Sequence, residues 1–173
     1  MSVADCLKKA TNPPNPKKEE EVRDWKTVAE SLLSPIKKLC KRGDASVLSE
    51  VFHYLSIDLA RNSVISRYRA LVVIETLFLR SSEFRNIVCS NIRLVAKSGD
   101  LLKTEATSSL PTLSGNTKKV DLRTSLLELQ TKTKEIIDLW DVLFGDQYPT
   151  LRAMARYFRE TLRLDMPNVM VST

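Results

Sequence analysis

At 173 residues, 43% hydrophobic and 28% charged with only 4 glycines, the chain is long enough for one domain with a proper core and has the composition of a soluble, helix-rich globular protein. Its longest apolar stretches, 70–74 and 77–79, are separated by Glu75 and Thr76, so no membrane span is expected. A net charge of +6 favours acidic partners without choosing among nucleic acid, acidic protein and anionic membrane.

The first ten residues carry Asp5, Lys8 and Lys9 and lack the apolar run of a secretory signal, so an intracellular location is expected. Cys6, Cys40 and Cys89 are odd in number and widely spaced, the pattern of free thiols in a reducing compartment rather than of a disulfide framework or zinc site. A short helix at 3–10 must stop before the prolines of 11–18, which read as a linker. From Glu19 to Leu33, Val22, Trp25, Val28, Ala29 and Leu32 fall at helical spacing, and Glu19 to Glu21 suit the positive start of a helix. Ser34-Pro35 reads as a restart, Ser as cap and Pro in the first turn, with Ile36, Leu39 and Cys40 forming a face that ends at Gly43.

Leu48, Val51, Phe52, Leu55 and Leu59 form one buried stripe, and the helix over 63–79 is apolar nearly all round, as a central helix should be. Phe84, Ile87, Val88, Ile92 and Val95 make a further stripe closed by Gly99, and 100–117 reads as a surface loop. Leu122, Leu126, Leu129, Ile136, Ile137, Trp140, Leu143 and Phe144 then line one face of a long helix stopped by Gly145. In the last helix, 150–164, Leu151, Ala155, Phe158 and Leu162 face inward, while Arg152, Arg156, Arg159 and Arg163 form a basic row beside them.

Groups for chemistry are scarce. His53 is the sole histidine and adjoins no nucleophile motif, no glycine-rich phosphate loop exists, and no carboxylate, His or Cys cluster has metal spacing, so neither catalysis nor a metal or cofactor is expected. Cys40 fits a small core hydrophobe. Trp140 suits either an interface anchor or a plug between the last two helices. The arginine row suits phosphates or acidic protein, or an edge whose stems cover the core.

Several motifs in consistent order carry a resemblance: 37–41 (Lys-Lys-Leu-Cys-Lys), Leu77 to Arg85 with Val88 and Ser90-Asn91, Trp140 with Phe144-Gly145, Tyr148 and Leu151, Tyr157-Phe158, and the plant-like ending 161–168. Over roughly 30–168 the chain resembles the N-terminal domain of the UV-stimulated scaffold protein A family. The resemblance implies an all-α, VHS/ENTH-like right-handed superhelix of about seven to eight helices. It also implies a non-catalytic scaffold of transcription-coupled nucleotide excision repair in the nucleus, on chromatin. The partners it implies are the propeller subunit of the Cockayne-syndrome ubiquitin ligase, the ubiquitinated, stalled RNA polymerase II and, as a further expectation, ubiquitin.

Two departures limit the carry-over: the family's proline-rich loop is reduced to Leu110 to Leu113, and the sequence ends at Thr173 without the ligands of the family's zinc module, so recruitment of TFIIH is not expected of these residues. The expected organisation is a short helix and linker over 1–18, the helical domain over 19–168 and a tail over 169–173. Trp140, Phe144, Tyr148, Arg152, Arg156 and Arg159 are the expected partner-binding residues, and Cys40, Leu77, Phe84 and Phe158 the expected core. Two other readings stand beside it: a trafficking adaptor of the same fold, binding ubiquitin or sorting signals or laying its first helix on membrane, and a basic helical module using the Arg152 to Arg163 row for nucleic acid, direct contact with which is left open.

Overall fold

The computed structural model describes residues 2–12, 25–102 and 122–162, and among them every regular element is helical. In chain order these are α1 (Val3–Thr11), α2 (Glu30–Arg42), α3 (Ala45–Leu59), α4 (Val64–Arg80), α5 (Ser82–Ser90), α6 (Ile92–Ser98), α7 (Leu122–Phe144) and α8 (Pro149–Tyr157), which runs on into a π-helical turn, Phe158–Leu162. The all-α class therefore stands. Expectations for the linker beyond Asn12, the loop beyond Leu102, Arg163 and the tail lie outside the described residues.

Polar caps set four of the starts. Ser2, Asp44, Ser63 and Ser81 each accept a hydrogen bond from a backbone N–H in the first turn of the helix that follows, satisfying donors that have no carbonyl partner there. From α2 through α6, and between α7 and α8, the joints are short enough that each helix folds back on the last, and α4 ends at the center, packed against α1, α2, α3, α5 and α7. Ala70, Leu71, Val73, Ile74, Leu77 and Phe78 are all buried along it, as its continuous hydrophobicity predicts. Helix α7 runs beside α4 in the same direction: Lys132 pairs with Glu75 at 2.9 Å, and Trp140 meets Phe78 further along.

The start of the chain belongs to this core. Cys6, Leu7 and Ala10 of α1 are buried against α2, α3 and α4. The end of α1 is tied by Thr11 Oγ1, which donates to Asp58 Oδ2 at 2.9 Å, and by Arg69 Nε, which donates to the Ala10 carbonyl at 2.8 Å.

Five expectations are corrected. The helix predicted over 19–33 does not run through 25–29: Trp25 and Lys26 form a turn, 27–29 are not helical, and α2 begins at Glu30. Core contact overrides the periodicity there, since Trp25 sets its ring edge-on to Tyr68 at 5.0 Å and Val28 is buried. Pro35 does not restart the chain but lies inside α2, and burial of Leu33 and Ile36 on either side holds the helix together across its missing N–H. The stripe from Phe84 to Val95 is divided between two helices, because Asn91 leaves the helical region (φ −127, ψ 30) and its Nδ2 donates to the Ile87 carbonyl at 2.8 Å. Leu143 is half exposed rather than part of the inner face of α7. The last helix changes to π geometry at Phe158 instead of continuing as a regular helix.

Candidate docking face at the end of α7

The two stretches that carry most of the sequence signal, Leu77 to Arg85 and Trp140 to Tyr148, meet in space. Phe78 lies flat on Trp140, centroids 3.9 Å apart and planes 12° off parallel, and meets the edge of Phe144 at 5.7 Å. Arg85, the first turn of α5 behind it, reaches back across the joint: its Nη1 donates to the Phe78 carbonyl at 3.0 Å while its guanidinium carbon sits 4.3 Å from the centroid of Phe144. Ser81 makes this possible by ending α4 and capping α5 in one residue, its Oγ accepting from the Phe84 N–H at 3.1 Å. A stacked pair, an edge contact and a cation over a ring thus fix the end of α7 to the α4–α5 joint.

The end of α7 is held equally firmly to α8. The buried Asp141 accepts from Arg152 Nε at 2.9 Å and from Arg159 Nη2 at 2.6 Å, and Arg152 also pairs with Asp146 at 2.8 Å. The hydrogen bond to the Asp141 carboxylate raises Arg152 further above its ordinary value. Gly145 allows the turn between the helices, since a Cβ there would run into the Asp141 and Arg152 side chains. Thr150 Oγ1 then donates to the Cys89 carbonyl at 2.7 Å, joining the start of α8 to the end of α5.

This geometry reassigns the expected partner-binding residues. Trp140 is fully buried, a core position rather than an exposed anchor, and the ring it lies on belongs to the central helix α4 and not to the last helix as the plug reading expects. Phe144 and Tyr148 are half-buried, Tyr148 preceding α8. Arg152 and Arg159 are committed to Asp141, and only Arg156 of the described row stands exposed without such a clasp. A basic surface built on that row is therefore much weaker than the sequence suggests. Of the expected core, Leu77, Phe84 and Phe158 are buried, while Cys40 is half-buried and its thiol is pushed up to about 11 by burial.

What the sequence reading missed lies on the opposite face of the same helix. Leu139, Val142 and Leu143 are 46%, 79% and 50% exposed, and their spacing of three and four residues puts them on one outward stripe. Large apolar side chains side by side in water are uncommon enough on a folded surface to mark a contact site. The signal was in the sequence, since α7 has more apolar residues near its end than one inward face can take, but Leu143 was assigned to the inner side. Among the described residues no three His, Cys, Asp or Glu side chains converge as a metal site would require. His53 is exposed beside Tyr54.

The described residues form an all-helical stack with an exposed apolar stripe backed by the Phe78–Trp140 contact, the architecture of a helical scaffold domain. Residues 25–162 match the family described as the UVSSA N-terminal domain, and the chain belongs to that family. It is also 27% identical over 138 residues to the UV-stimulated scaffold protein A homolog of Arabidopsis thaliana, a match covering 80% of this chain and 19% of that relative. The chain thus spans about a fifth of the length of that protein, and α1 lies ahead of the matched segment.

Proposed function

We propose that this chain is a non-catalytic docking domain of a transcription-coupled nucleotide excision repair scaffold, acting in the nucleus on chromatin. Its partner at the α7 end is the propeller subunit of the Cockayne-syndrome ubiquitin ligase, within the assembly formed on stalled, ubiquitinated RNA polymerase II. The observation that carries the reading is the outward stripe of Leu139, Val142 and Leu143 on a helix whose inner face is locked by the Phe78–Trp140 stack, in a chain of this family. A preformed surface of this kind binds without an ordering cost, which is what a scaffold needs from each of its contacts. The all-helical architecture is consistent with the VHS/ENTH-like class that the family resemblance implies.

The two other readings have less support. A membrane-lying first helix would need a free apolar face, and that of α1 is buried in the core. A nucleic-acid grip would need the arginine row free, and Asp141 holds two of its members. Mixing the purified chain with the purified propeller subunit and following co-elution by size-exclusion chromatography tests the proposal. A stable one-to-one complex is expected; separate elution at micromolar concentrations of both would overturn it.

A further inference from the structure

Leu77 and Phe78 face different sides of α4. Phe78 faces α7, whereas Leu77 opens onto a cavity of about 370 Å³ between α2, the first turn of α3 and the end of α4. The floor is apolar, formed by Leu48 and Leu77 with the half-buried Cys40 thiol beside them. The rim is cationic, carrying Lys37, Lys41 and Arg80, and among the described residues no carboxylate lines it. Lys37 is held by both oxygens of Glu30, at 2.9 and 3.2 Å, while Lys41 and Arg80 stand exposed in the last turns of α2 and α4. Cations at those positions complement the negative ends of their helices, which accounts for the charge but not for the apolar hollow between them.

We infer that this cavity takes one apolar side chain of an acidic peptide segment on a partner protein, with Leu48 and Leu77 covering the side chain and Lys41 and Arg80 holding the flanking carboxylates. The volume sits at the small end of the roughly 300–1,000 Å³ typical of ligand pockets, suited to a side chain rather than a whole helix. The floor has no aromatic on which a base could stack, which favours an acidic peptide over a nucleic-acid strand. Charge complementarity steers the segment in, and the apolar floor gives the selectivity. The site is separate from the α7 stripe and does not depend on it.

The test uses a fluorescein-labelled peptide with one leucine between two runs of three aspartates, titrated into the full chain and read by anisotropy. Saturable binding is expected, weakened at least about tenfold when the leucine is replaced by alanine, when the aspartates become asparagines, or in the Lys41→Gln/Arg80→Gln variant. The exposed rim positions are chosen because their neutralisation leaves the core intact. Peptide binding should also slow alkylation of Cys40 by iodoacetamide, read by mass spectrometry, the other two thiols being buried. No saturable binding, equal affinity for the alanine peptide, unchanged Cys40 alkylation, or equal competition by a duplex oligonucleotide would each overturn the inference. A Val142→Asp variant should bind the peptide as wild type does, so failure at this cavity and failure at the α7 stripe are read separately.

Discussion

Trp140 has no exposed surface, and its ring lies 3.9 Å from that of Phe78, so its contribution is cohesion. Trp140→Ala should cost about 3–5 kcal/mol through lost burial and the cavity left behind, read by urea denaturation. The buried indole N–H has no hydrogen-bond partner, so Trp140→Phe, which keeps the stack and removes that donor, should cost markedly less. Equal losses for the two variants would contradict the stacking role. Cys40 is a different case, since it borders a cavity already rimmed by Lys37, Lys41 and Arg80. Cys40→Arg adds a cation to that cluster on a partly desolvated site and should lower stability by about 2 kcal/mol; an unchanged thermal melt would remove the assignment. Burial pushes the thiols of Cys40 and Cys89 from 9.0 to about 11 and about 12, and raises Tyr68 to about 12 with help from the charges of Glu128, Glu75 and Glu135. Unfolded thiols ionise near 9.0 while the folded ones keep their protons, so this stabilisation is complete below that pH and is lost as the pH rises toward 11 and 12. Urea midpoints should hold level up to about pH 9 and then fall; a midpoint rising from pH 9 to 11 would show the opposite linkage.

The helices show how far local pattern carries and where packing replaces it. The stripes of α3, α4 and the inner face of α7 were legible because period 3.6 and burial agree along them, and the caps at Asp44, Ser63 and Ser81 were supplied by short polar side chains at the joints. Three features were not legible for reasons outside local spacing. Trp25 and Val28 keep helical spacing yet reach the core from a turn and the non-helical residues after it; Pro35 is tolerated because its neighbours are buried; Asn91 breaks a stripe that stays apolar on both sides. The clasp on Asp141 belongs to this scale, since it joins α7 to α8 and converts two apparent surface cations into an internal tie. Removing a partner from a buried pair costs roughly 3–5 kcal/mol, but Arg152 and Arg159 are 41% and 57% exposed and can hydrate once released. Asp141→Asn should therefore cost about 1–2 kcal/mol and speed amide hydrogen exchange in α8 before α4. Unchanged exchange in α8 would argue that the clasp does not join it to α7.

For the molecule as a whole, the fold class was legible in the sequence, and so was the importance of the two stretches that meet at Phe78 and Trp140. The exposed side of the site was not. An amphipathic pattern identifies the face that packs, whereas Leu139, Val142 and Leu143 could be assigned to solvent only once the rotation of α7 against α4 was known. Phe78 faces α7 whereas Leu77 faces the cationic cavity, so the apolar stripe and the cavity lie on separate sides of the central helix. The docking proposed above would seat the ligase propeller subunit on the outward stripe of α7 while the inward face of that helix stays locked on Phe78 of α4. Biolayer interferometry of wild type and Val142→Asp against the immobilised propeller subunit tests it most directly, with thermal melts of both proteins alongside. Because Val142 is 79% exposed, the melt should move little while affinity falls at least about tenfold. Undiminished affinity in a variant that melts like wild type would contradict the account.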